Sequence, residues 1–264
     1  IVIILGAVSY DFLLNPIIFG SIIIIVYAII LNRFVLKKNY PSSWKSYSFH
    51  CFKFSQFKYT KLKGFDYNGG DGTISRRDPS KIIFENGKYY VWYTYRNTVT
   101  SPKPASQSTD TIPSADWDLS EIWYATSKDG FTWQEQGVAV PRPPKPHVGW
   151  RSVSTTDILK WKGKYYLYYQ GFMQASGKRG DDCPVAVSYA NSPDGPWTPL
   201  NKVVIPNGGE GEWDQYSIHD PYPLVHNGKI YLYYKSDFAN QDKRRGLVRM
   251  HGLAIADNPL GPFK

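Results

Sequence analysis

From Ile82 onward, apolar and polar residues fall into a pattern that recurs three times. Ile82-Ile83-Phe84-Glu85 leads through Asn86-Gly87 into Lys88-Tyr89-Tyr90-Val91-Trp92-Tyr93. Ile158-Leu159-Lys160-Trp161 leads through Lys162-Gly163 into Lys164-Tyr165-Tyr166-Leu167-Tyr168-Tyr169, and Leu224-Val225-His226 leads through Asn227-Gly228 into Lys229-Ile230-Tyr231-Leu232-Tyr233-Tyr234. Each reads as strand, tight turn, strand: the Asn-Gly pairs supply the positive φ values a two-residue hairpin needs, and alternating apolar residues flank them. A second element follows each hairpin, at residues 124–133, 189–197 and 254–263, and reads as strand, turn and an outer strand bearing an aromatic residue.

Four strands per unit, repeated every several tens of residues, match the blades of a β-propeller, each of which needs neighbours to bury its faces. The expected fold is all-β, with about three blades present. Because such rings generally hold four to eight blades and the chain stops at Lys264 just after the third unit's turn, a C-terminally truncated propeller is expected. The 264 residues, 42% apolar and 16% aromatic, supply ample core for it.

Ahead of the repeats the pattern changes. Residues 12–31 are almost wholly apolar and reach the length that spans a bilayer, and Arg33, Lys37 and Lys38 follow. One reading is a membrane anchor, although the positive-inside tendency would then put the downstream part in the cytoplasm. The other is that this A/T-rich-coded stretch is not native coding sequence; export or anchoring follows from the first reading, a cytoplasmic location from the second. Residues 37–63 have no helical or alternating period and read as a basic linker, so the expected division is 1–63 and 64–264.

The net charge of +9 is concentrated in that leader: residues 1–63 hold eight Lys/Arg against one acid, and the remainder 23 against 21. A nearly neutral folded body argues against a nucleic-acid surface. Cys51 and Cys183 alone provide neither a disulfide framework nor a cysteine-rich zinc site.

The candidate chemistry lies at matching places in two repeats. Asp78 and Asp220 are each followed by Pro and each open the innermost strand of a unit, so two acids from separate units converge on one funnel. Glycosidic hydrolysis needs two such carboxyl groups flanking the scissile bond. Asp-Pro also serves simply to enter a strand or form an Asx turn, but its recurrence favours catalysis. Arg76 and Arg77 either keep Asp78 ionised or lie on a solvated rim, and His219 either donates to a sugar hydroxyl or serves as a structural hydrogen-bonding group. Trp117, Arg151, Thr155 and Gln170, in or beside inter-strand segments, are candidates for stacking on sugar rings and gripping hydroxyls.

Arg76-Arg77-Asp78-Pro79-Ser80 running into Gly87–Thr94, Glu121-Ile122-Trp123-Tyr124-Ala125-Thr126-Ser127, Arg151-Ser152-Val153 and His219-Asp220-Pro221 together resemble glycoside hydrolase family 117 over roughly residues 64–264. These are the α-1,3-(3,6-anhydro)-L-galactosidases, or neoagarooligosaccharide hydrolases. The resemblance implies a five-bladed β-propeller that releases 3,6-anhydro-L-galactose from the non-reducing end of neoagarooligosaccharides by inverting hydrolysis. It implies Asp78 as general base, Asp220 as the acid that orients substrate, and Trp117, Arg151 and Gln170 as sugar-binding positions; Arg77, Thr155 and His219 join them as substrate-binding candidates on the reading of the residues alone. The family's general acid is expected from a His-Glu pair in a later blade, which would leave this chain alone inactive. The resemblance also implies a homodimer built through an N-terminal helical arm, for which residues 1–63 show no counterpart. No cofactor is required; the divalent cation found near the funnel in the family has no tight His/Asp/Glu ligand spacing here and would be held partly through water. Two other readings share the repeats: an arabinanase- or xylosidase-like glycosidase, and a non-catalytic carbohydrate-binding propeller.

Overall fold

A computed structural model describes residues 70–175, 182–215, 217–237 and 249–264. The chain divides into two compact units, Ile1–Thr60 and Lys61–Lys264. The apolar segment 12–31, the basic linker and Cys51 lie outside the described residues. Among the described residues no helix is long and apolar enough to cross a membrane.

The described part of the second unit is all-β. Strands β1 (Ile74–Arg77), β2 (Ile83–Glu85), β3 (Lys88–Asn97), β4 (Glu121–Ser127) and β5 (Trp133–Val140) form the first sheet, ordered β1-β3-β4-β5 with β2 also paired to β3. Strands β6 (Ser152–Trp161), β7 (Lys164–Phe172), β8 (Val185–Ala190) and β9 (Thr198–Ile205) form the second sheet in that order. Strands β10 (His219–His226), β11 (Lys229–Asp237) and β12 (Arg249–Ala256) form the third. All pairings within the sheets are antiparallel.

The three hairpins form where expected. Their turn residues take left-handed φ in both positions: 49° and 76° at Asn86-Gly87, 47° and 77° at Lys162-Gly163, and 48° and 74° at Asn227-Gly228. Two consecutive positive φ values match the right-handed twist of the flanking strands, which is why such turns join hairpins.

The five-bladed β-propeller is corrected. Among the described residues the structure holds three separate open sheets, none of which closes or curls into a propeller. The repeated pattern specifies each meander through local hairpins, but closure depends on how many sheets there are and how they pack, which a local pattern does not encode.

Packing follows from strand alternation. On β7, Tyr165, Leu167 and Tyr169 join a core shared with Tyr90, Trp92 and Ile122 of the first sheet, whereas Tyr166 and Tyr168 join one shared with Ile230, Leu232 and Ala254 of the third. A sheet covered on both faces explains why residues 165–169 are aromatic or aliphatic without interruption. Trp92, fully buried, stacks on Tyr90 and Tyr124 and meets Trp197 edge-on. On β11 the alternate residue Tyr233 is 40% exposed.

Candidate active site

Each sheet opens with the same irregularity. Arg77 pairs with Thr94, Ser154 with Gln170 and His219 with Lys235; directly after this pair β1 ends, while in β6 and β10 the register shifts. The next residue in each case is Asp78, Thr155 and Asp220, with φ of 49°, 47° and 51°. Non-glycine residues seldom adopt left-handed φ, least of all a β-branched threonine. A bulge at a strand's start re-aims the side chain it displaces. The three residues line one open pocket of about 470 Å³, together with Lys81, Asp157 and Tyr222.

Both carboxylates carry a cation. Arg77 Nε donates to Asp78 Oδ2 at 2.7 Å, and the Arg77 guanidinium lies 4.7 Å from the Trp117 ring centre. Lys235 Nζ pairs with Asp220 Oδ2. The Thr155 hydroxyl lies 3.4 Å from Asp78 Oδ2, so residues from the first two sheets meet directly. Lys81 ties all three sheets: its ammonium contacts Asp157 Oδ2 at 2.6 Å and donates to the Ile158 and Pro223 carbonyls at 3.0 Å each. Burial raises the Asp157 pKa above the ordinary carboxylate value, against the lowering pull of Lys81.

Gln170, buried, spans two sheets. Its Oε1 accepts the Asp220 amide at 3.4 Å and its Nε2 lies 2.7 Å from His219 Nδ1. Gln170 thus sits behind the pocket residues.

Arg151 is 2% exposed. Its Nε donates to Asp118 Oδ1 at 2.7 Å, Nη2 pairs with Asp118 Oδ2, and further N–H groups donate to the Thr109 and Ile112 carbonyls. It fastens the long loop 98–120, which carries half-buried Trp117 to the Arg77 guanidinium. The structure therefore brings Asp78, Thr155 and Asp220 to the pocket. Arg77 and Trp117 stand beside Asp78, Gln170 and His219 behind Asp220, and Arg151 in the loop anchor. Lys81, Asp157, Lys235 and Asp118 went unnoticed in the sequence. The register opposite each strand-opening residue is the signal that would have marked Lys235.

Among the described residues no three or more His, Cys, Asp or Glu side chains gather where they could hold a metal ion.

Carboxylates from different sheets facing one open pocket, with hydroxyl and cationic groups between them, are the equipment of an enzyme that acts on glycosidic bonds. The sequence profile for glycosyl hydrolases family 43 matches residues 75–252, and the chain belongs to that family. It is 63% identical to Zg3597, a family 117 glycoside hydrolase produced by the marine bacterium Zobellia galactanivorans, with a TM-score of 0.73 over 78% of this chain. The chain spans 60% of the length of that relative. Two more distant structures share the fold: a protein titled glycoside hydrolase (12% identity, TM-score 0.53, covering 76% of this chain and 57% of that one) and sucrose-6-phosphate hydrolase from Lactobacillus gasseri (15%, 0.51, 70% and 33%). No curated protein matches the sequence.

Proposed function

We propose that the protein releases 3,6-anhydro-L-galactose from the non-reducing end of neoagarooligosaccharides by inverting hydrolysis, with Asp78 as general base. The observation that carries this reading is the convergence of Asp78 and Asp220, from two different sheets, on one open pocket. The likeness to a family 117 glycoside hydrolase supports the family resemblance, and it is that resemblance which implies the sugar.

In this reading the Asp78 carboxylate, paired with Arg77, takes a proton from a water molecule as that water attacks the anomeric carbon. The Thr155 hydroxyl and the Arg77 guanidinium limit its rotation. Asp220 accepts hydrogen bonds from ring hydroxyls and sets the sugar's orientation. The proton for the leaving oxygen is assigned to a group outside this pair, as the family resemblance implies.

The test is hydrolysis of neoagarobiose by the protein in its complete natural length, followed by the anomeric form of the released sugar. Asp78→Asn should lower kcat by on the order of 10²- to 10⁴-fold with the fold intact. Undiminished turnover in that variant removes Asp78 from the mechanism, and an unchanged neoagarobiose solution removes the sugar assignment. Release of arabinose or xylose from model glycosides would instead favour an arabinanase- or xylosidase-like activity.

A further inference from the structure

The residues opposite the three strand openings differ in a way that bears on the pocket. Thr94, Gln170 and Lys235 occupy the same register position on β3, β7 and β11. In the first two sheets this residue is a neutral acceptor that reaches across to the next sheet: Thr94 Oγ1 accepts the Thr155 amide at 2.8 Å, and Gln170 Oε1 accepts the Asp220 amide at 3.4 Å. In the third sheet the position holds a lysine, which has donors and no acceptor. Its ammonium turns instead onto the bulge carboxylate of its own sheet, Asp220.

Asp220 is therefore gripped from two sides, its amide by the second sheet and its carboxylate by the third. The side chains of Lys235 and Asp220 are 30% and 46% exposed. An ion pair that open to water contributes little to stability. What it does supply is a fixed charge and a fixed direction at the pocket's rim.

We propose that Lys235 is a positioning residue that holds the Asp220 carboxylate as an anionic acceptor for a saccharide hydroxyl. The proposal rests on the reading of the pocket as a glycosidase site. It assigns Lys235 no contact with the reacting atoms: the ammonium occupies Oδ2 and fixes the plane of the carboxylate, leaving Oδ1 to receive the hydroxyl. A loosened acceptor lets the sugar dwell in unproductive poses, and misplacement on the scale of an ångström costs about 10²-fold in rate.

Two measurements test it. The first is the crystal structures of Lys235→Met and Lys235→Arg in the complete protein. Asp220 should leave its present rotamer or spread over several in the methionine variant and keep its place in the arginine variant; an unmoved Asp220 in Lys235→Met overturns the proposal, whatever the kinetics show. The second is a double-mutant cycle on neoagarobiose. Lys235→Met should lower kcat/KM by about 10- to 100-fold, Lys235→Arg should restore most of it, and Lys235→Met should add little to Asp220→Asn. An equal loss in the Asp220→Asn background, or no loss from Lys235→Met while Asp78→Asn is inactive, overturns the role of Lys235 and leaves the hydrolase reading standing. Full activity of Asp78→Asn sinks that reading separately.

Discussion

Lys81 Nζ lies 2.6 Å from Asp157 Oδ2, and the Lys81 amide donates to Asp157 Oδ1 at 2.9 Å, so one residue between β1 and β2 clamps both oxygens of a buried carboxylate in the second sheet. The same ammonium reaches the Pro223 carbonyl in β10 of the third sheet and lies over the Tyr222 ring. Strand pairing leaves the three sheets separate, and their relative placement rests on side-chain packing and on connections of this kind. This one lines the same pocket as Asp78, Thr155 and Asp220.

Lys81→Met should therefore destabilise the fold strongly. It leaves the Asp157 side chain, 7% exposed, without its cation, and breaking a buried pair from one side costs about 3–5 kcal/mol. The cost depends on pH. Burial raises the Asp157 pKa, so the folded chain holds that proton more tightly than the unfolded chain. The stability Asp157 contributes is fully present below the ordinary carboxylate pKa and is lost as pH rises through the raised value. Without Lys81 the loss grows, so the deficit of Lys81→Met against wild type in urea denaturation should be large at neutral pH and shrink below about pH 4. A deficit independent of pH would mean that the clamp is not electrostatic.

Arg151→Lys should lower stability rather than merely weaken sugar binding. The guanidinium meets both oxygens of Asp118 and two backbone carbonyls, a fork that an ammonium cannot reproduce. The expected signs are a fall in melting temperature and faster proteolytic cleavage within residues 98–120, because Asp118 holds that loop. If the melting temperature and cleavage stayed as in wild type and only KM rose, Arg151 would be a sugar ligand after all.

The Arg151 case shows where reading from sequence stops. Asn86-Gly87 and Asn227-Gly228 announce their turns because the required φ values are local properties of those residues. Asp78 and Asp220 are legible as a pair because each precedes Pro at the same place in a repeat. Thr155 holds the equivalent position but precedes Thr156 and so hides its kinship; only its φ of 47° and the register break reveal it. Whether an arginine is solvated or, like Arg151, sealed against an aspartate 33 residues away is decided by loop folding. The partners of Lys81 and Lys235 and the open arrangement of the sheets likewise arise from contacts between units, which periodicity within a unit does not record.

Asp129 offers a pH test on the first sheet alone. In the turn between β4 and β5 its Oδ1 accepts the amides of Thr132 at 2.7 Å and Phe131 at 2.8 Å and the Ser127 hydroxyl at 2.9 Å. These donors, the Thr132 amide foremost, hold the carboxyl well below the ordinary range. A depressed folded pKa means that the contribution is present above the unfolded value, near 4, and is lost as pH falls through the folded one. Asp129→Asn should accordingly be less stable than wild type at pH 7, with the difference narrowing as the solution is acidified below about pH 4. A gap that persists or widens in acid would contradict the assignment.

Thr155→Gly sets stability against activity at the centre of the pocket. A β-branched residue at φ 47° carries strain, of the order of 1–3 kcal/mol for such backbone, whereas glycine adopts that conformation freely at an entropic cost of about 0.5–1 kcal/mol. The amide that donates to Thr94 Oγ1 is unchanged by the substitution, so the expected net effect is a gain of about 1 kcal/mol, measured by chemical denaturation. The variant also removes the hydroxyl 3.4 Å from Asp78 Oδ2. Losing a hydrogen bond to a charged group corresponds to about tenfold or more in kcat/KM if the base needs that hydroxyl to keep its aim. A more stable and slower enzyme is thus expected, the signature of strain retained because the site uses it. If Thr155→Gly were instead less stable and fully active, the left-handed bulge would be a matter of folding alone, and Asp78 would owe its orientation to Arg77.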